Sequence, residues 1–185
     1  MIVAESERWN IPVAAHAYGG EGATYAILGG VRSLEHGFTL TDEQLQMMVD
    51  NGTFWSPTMT VYLPSSPEEE SDPLNRRIVE SHKDTFRRAL KMGVKIAFGT
   101  DVGSIAHGTG AREFKLMVDY GMTPMQAIKS ATITAAALMR LERSIGSIET
   151  GKYADIIAVK GNPLDDITIL ENVEFVMKGG KVYKN

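Results

Sequence analysis

Three residues able to bind metal or carry protons close apolar runs in this 185-residue chain. His16 follows the run Ile11–Ala15 in VAAHAYGG, and His36 follows Val31–Leu34 in SLEHG. Asp101 follows Val94–Phe98, through Gly99 and Thr100, in IAFGTDVG. His16 and His36 stand 20 residues apart, the length of one strand–helix unit, which predicts equivalent positions on neighbouring strands. Two imidazoles and a carboxylate converging at strand ends suit Zn, Mn or Fe. Each residue also has an ordinary reading: a strand-end His as a hydrogen-bonding structural residue, and an Asp after Gly-Thr as a cap. Spacing alone leaves both open. The repeated placement is what favours chemistry.

Other candidates are weaker. His107, in SIAHGTGARE, falls in the loop after the fourth run, where it contacts substrate or is an ordinary loop residue. His82 lies between Ile78 and Phe86 on the apolar stripe of a helix and reads as structural. Glu35 reads as a supporting or packing contact. YGGEGA follows a strand and opens a helix as a phosphate-binding loop would, but its glycines fit neither the dinucleotide fingerprint nor the Walker pattern. Cys is absent, which excludes disulfides, thiolate nucleophiles and Cys-ligated zinc. Any metal must therefore sit on His and carboxylates.

The elements that must position these residues alternate between strand and helix. The four apolar runs are Ile11–Ala15, Val31–Leu34, Thr53–Thr58 and Val94–Phe98. Between them, Ala23–Leu28 reads as a short helix, and Thr41 with Gln44 forms a capping box for the next. Pro64–Pro73 reads as a loop before a helix that runs to Met92. Ala111–Tyr120 is helical, and a further helix starts at Thr123 with Pro124 in its first turn. Such alternation predicts a parallel α/β architecture. From Ile145 the pattern changes to short β runs separated by Gly, Asn and Pro.

Composition agrees with a globular chain: 43% hydrophobic and 23% charged residues, with a net charge of -4. No basic patch stands out, so neither nucleic acid nor an anionic membrane is expected as a partner. No apolar run reaches the roughly 18 residues of a membrane span. The opening MIVAESERWN holds two acids and no apolar core, so it is not read as a signal peptide. The expected compartment is the cytoplasm, although an upstream signal would lie outside this sequence.

Three segments together resemble the amidohydrolase superfamily, in its imidazolonepropionase-like and prolidase-like branch. They are VAAHAYGGEGATYAILGGVRSLEHG, GVKIAFGTDVG and GMTPMQAIKSATITAAALMRLERSIGSIETGKYADIIAV. The resemblance covers essentially the whole chain. It implies a C–N bond hydrolase of dipeptidase or prolidase type, with one or two divalent ions, Zn foremost. His16, His36 and Asp101 match the metal ligands, and Asp101 matches the general base as well. Tyr18 and His107 match positions that contact substrate.

The resemblance also implies a fold: the C-terminal half of a TIM-type (β/α)8 barrel, about four strand–helix units, followed by a small β-sandwich segment. Residues 1–140 would form the partial barrel and 141–185 the β module. A full barrel takes about 250 residues, and the family's first-strand His-x-His pair occurs nowhere here. The expected partner is therefore the missing N-terminal half of the barrel, besides a small-molecule or dipeptide substrate. A homo-oligomer that rebuilds a pseudo-barrel is the other arrangement. A half-barrel remnant without activity of its own is the alternative function.

Overall fold

The computed structural model describes residues 1–185. After a first helix, α1 (Ile2–Arg8), four strands alternate with helices: β1 (Ala14–Gly19), α2 (Gly20–Leu28), β2 (Ser33–Thr39), α3 (Asp42–Asn51) and β3 (Phe54–Ser56). A 3-10 turn (Met59–Tyr62), α4 (Pro67–Ser71) and α5 (Pro73–Met92) lead to the short β4 (Lys95–Ile96). The four strands form one sheet in the order β1-β2-β3-β4, with every pair parallel. The α/β reading is therefore met.

One face of the sheet carries the core. Leu34 and Trp55 are fully buried against Ile27 of α2, Leu45 and Met48 of α3, and Phe86 and Ala89 of α5. Local chemistry places those helices. Thr41 and Gln44 form the anticipated capping box, with Gln44 N–H donating to Thr41 Oγ1 at 3.3 Å and Thr41 N–H donating to Gln44 Oε1 at 3.0 Å. Thr123 and Gln126 repeat it at the start of α7 (Pro124–Lys129), which follows α6 (Arg112–Asp119). A π-helical turn, Ser130–Thr134, joins α7 to α8 (Ala135–Leu138). The other face behaves differently. Along β1, Ala14, His16 and Tyr18 are exposed while their neighbours are half-buried, the period-2 signature of a strand covered on one side.

The structure shifts several boundaries. The first strand begins at Ala14 and not at Ile11, because Pro12 has no N–H and the ladder starts at the Val13 carbonyl, which accepts from Arg32 N–H at 2.8 Å. The second begins at Ser33, since Val31 N–H still closes the end of α2 on the Ala26 carbonyl. His16 and His36 therefore lie inside their strands. The stretch Pro64–Pro73 is not all loop. Ser66 caps α4, Pro67 opens it, and Glu68 to Glu70 place negative charge at its N-terminus.

After α8 come β5 (Ile156–Val159), β6 (Val173–Lys178) and β7 (Lys181–Lys184), an antiparallel sheet in that order. Gly179 and Gly180 make the β6–β7 turn, both with positive φ, which glycine adopts without strain. This is a single layer; the second sheet that a sandwich requires is not among these residues. No helix is long and apolar enough to cross a membrane.

Candidate active site

His16 does not stand opposite His36. In the parallel ladder of β1 and β2 it pairs with Glu35, and His36 pairs with Ala17. Simple alternation would place the two imidazoles on opposite faces. Backbone conformation overrides this. His36 and Gly37 take φ of +71° and +60°, two successive left-handed residues that break the pleat. The His16 and His36 rings then meet edge-on with centroids 4.5 Å apart.

The break is held in place. Trp55 Nε1–H, from β3, donates to the His36 carbonyl at 2.9 Å. A side chain at Gly37 would bring a Cβ within 2.7 Å of that same nitrogen, so the EHG glycine is a steric requirement as well as a conformational one.

Thr58 sets the chemistry of His36. Its hydroxyl donates to the Pro57 carbonyl at 2.7 Å, and its oxygen lies 2.7 Å from His36 Nδ1. With the hydroxyl hydrogen committed, the oxygen accepts from Nδ1–H, which assigns the Nδ1–H tautomer and leaves the Nε2 lone pair free. His36 is buried, and that burial, reinforced by the neighbouring His16, pushes its basicity down; Asp101 and Glu35 act in the opposite direction.

Aromatic rings surround the pair. Tyr18, exposed, sits 4.9 Å from His16 and 5.8 Å from His36. Tyr62 lies 5.9 Å from His36, and Phe38 lies 4.7 Å from Tyr18. Burial, with Tyr18 alongside, raises the Tyr62 phenol above its usual range, so it stays protonated. Behind Tyr62 sits His82, 1% exposed, within 6.0 Å of Trp55 and Phe38. Its ring nitrogens are sealed from solvent, and the only polar group acting on them at short range is the Pro57 carbonyl. This matches its expected structural place on the α5 stripe.

The other sequence candidates divide. Asp101 follows β4 at a left-handed φ of +50°, is exposed, and accepts from Ser104 Oγ at 3.2 Å. Its charge acts on His36 and Tyr62, but it does not join the imidazoles in a closed set: no three His, Asp or Glu side chains come together as metal ligands. His107 is exposed in the loop after β4 and makes no hydrogen bond or ring contact with the others. Glu35 accepts from Ser33 Oγ at 2.5 Å. The donor chemistry at the pair nevertheless fits a divalent ion in part. Adjacent imidazoles, one with its second nitrogen tied by a hydrogen bond, are the arrangement in which supporting groups orient metal-binding histidines.

Several residues escaped the sequence reading. Thr58 reads as the end of the third strand run, but that strand stops at Ser56 and Thr58 opens the turn that carries Tyr62, which has no periodic signal. Phe38 follows the break at Gly37. Glu113 did leave a signal: it shares a helical stripe with Met117 and Tyr120, so a carboxylate stands where an apolar side chain is expected, and all three are buried.

Comparison with known proteins bears on the family and the fold. The amidohydrolase family profile matches residues 1–183. The chain is 36% identical to ochratoxinase of Aspergillus niger over 195 aligned positions, covering 100% of this chain and 40% of that protein. It is 29% identical to imidazolonepropionase of Symbiobacterium thermophilum over 139 positions, 74% of this chain and 30% of that one. Among solved structures, an Xaa-Pro dipeptidase with methionine bound in its active site superposes with a TM-score of 0.93 at 44% identity, over 100% of this chain and 47% of that chain. The chain thus spans about half the length of that dipeptidase, or less for the other two relatives.

Proposed function

The chain belongs to the amidohydrolase family, and from that premise we propose that it forms the C-terminal half of a barrel hydrolase acting on carbon–nitrogen bonds. The substrate class is a dipeptide or N-acyl amino acid, as the names of the dipeptidase and ochratoxinase relatives suggest. Residues 1–140 form the barrel portion and 141–185 a β layer completed by strands from the other half. The observation that carries the reading is the imidazole pair, His16 against His36 at 4.5 Å, on the open face of adjacent parallel strands. In (β/α)8 enzymes the chemistry sits where such strands end.

His16, His36 and Asp101 would hold a divalent ion, Zn foremost, with further ligands from the other half. When bound, such an ion supplies an acidified water and polarises the substrate carbonyl. Thr58 keeps the His36 Nε2 lone pair pointed into the site by holding Nδ1–H. The Asp101 carboxylate takes a proton from the attacking water and returns it to the leaving amine nitrogen, so acid and base are one group used twice. Tyr18 donates its phenol hydrogen to the substrate, with Phe38 and Tyr62 forming an apolar wall beside it. His107 contacts the substrate from the loop after β4.

The test is hydrolysis of an Xaa-Pro dipeptide by the intact protein. His36→Ala abolishes turnover on this account; wild-type turnover in that variant would sink it. A second reading, a half-barrel that binds one ion weakly without turnover, draws on the fact that no three-residue ligand set is closed within this chain.

A further inference from the structure

Glu113 takes part in none of the steps above, yet it is fully buried in the first turn of α6. One of its oxygens accepts from Met59 N–H at 2.8 Å; the other accepts from Thr60 N–H at 2.8 Å and from the Thr60 hydroxyl at 2.5 Å. All three donors belong to the turn between Thr58, which binds His36, and Tyr62, which faces it. Thr58 itself has a φ of +52°, a conformation unfavourable for a β-branched residue unless its surroundings impose it.

We propose that Glu113 is a positioning residue: its carboxylate clamps the Met59–Thr60 backbone so that Thr58 holds His36 in the Nδ1–H tautomer. The inference rests on the reading of His36 as a working residue. The physical argument is one of satisfaction. Two buried backbone N–H groups and a hydroxyl have this carboxylate as their acceptor, and without it they turn toward other partners, carrying Thr58 with them. A glutamine in its place has one acceptor oxygen, and its amide hydrogens face donors.

The test reads the tautomer directly, apart from turnover. Intact protein labelled with 15N-histidine is freed of metal with chelator and held at about pH 8, above the ordinary imidazole range. Wild-type His36 shows the Nδ1–H signature. Glu113→Gln and Thr58→Val each lose it to a mixture of both tautomers. A purely structural Glu113 would lower the melting temperature and leave the signature intact, and that result in folded Glu113→Gln would overturn the proposal. Should Glu113→Gln fail to fold, Thr60→Val, which removes the hydroxyl donor alone, is read in the same way, with retention overturning the proposal. Full hydrolysis by His36→Ala, with the tautomer still lost in Glu113→Gln, would instead defeat the assignment of His36 and leave the Glu113 clamp standing.

Discussion

His36 reaches the ring of His16 only because its own backbone turns left-handed, one position beyond the residue that pairs with His16 in the ladder. The contact therefore depends on Gly37 as much as on either histidine. Gly37→Ala forces a Cβ to within 2.7 Å of Trp55 Nε1 and 2.9 Å of Leu40 Cδ1, at a φ of +60°. Loss of about 1–3 kcal/mol of stability is expected from strain and the displaced indole. Urea denaturation of the intact protein checks this, and an unchanged midpoint would count against the tight EHG turn.

Glu113 gives stability a pH dependence of known sign. Burial pushes its carboxyl up from 4.5 to about 7, against the pull of three hydrogen-bond donors. The folded protein therefore holds that proton more tightly than the unfolded chain does. The corresponding stability is fully present below 4.5 and is lost as pH rises through about 7. A decline on the order of 1–3 kcal/mol across that window is expected in the wild type relative to Glu113→Gln. Denaturation midpoints of the two proteins over the same pH range measure it; parallel curves would contradict the burial of an ionisable carboxyl there.

His82 works in the opposite sense. Burial, with the His36 charge nearby, pushes its imidazole down to about 3, against the pull of the Pro57 carbonyl. As pH falls below 6.5 the unfolded chain takes up a proton that the folded protein refuses, and stability drops toward pH 3. Burial of both ring nitrogens, with at most the Pro57 carbonyl to accept from one of them, adds a desolvation penalty at every pH. His82→Phe is expected to stabilise by about 1–3 kcal/mol, with the gain growing in acid. A lower melting temperature in that variant would mean that the Pro57 carbonyl, with ordered water, satisfies the ring nitrogens fully.

How far the sequence revealed this arrangement can be judged residue by residue. The parallel sheet was legible because each unit carries its own local signals: Thr41 and Gln44 at a helix start, Gly52 at φ +66° at its end, Pro124 opening α7. Alternating grammar then left few topologies. The histidines were legible as strand-borne residues, but their register was not. Equal spacing suggested equivalent positions, whereas the strands begin two or three residues later than their apolar runs, and the pair meets through a left-handed step that no periodicity encodes. Thr58, Tyr62 and Glu113 were illegible as a group, because the contact of Glu113 with Met59 and Thr60 spans more than fifty residues and arises only on folding. The α4 turn was legible in principle: Ser66-Pro67 followed by three glutamates is a helix start, hidden by reading the prolines as loop.

Zinc titration into chelator-treated intact protein tests the central claim most directly, because it asks whether the imidazole pair acts as one site. The account predicts that wild-type protein binds zinc and that His16→Ala and His36→Ala each weaken binding by more than about 100-fold, beyond the effect of losing a supporting hydrogen bond alone. Wild-type affinity in both variants would contradict it, and would reduce the 4.5 Å contact between the two rings to packing.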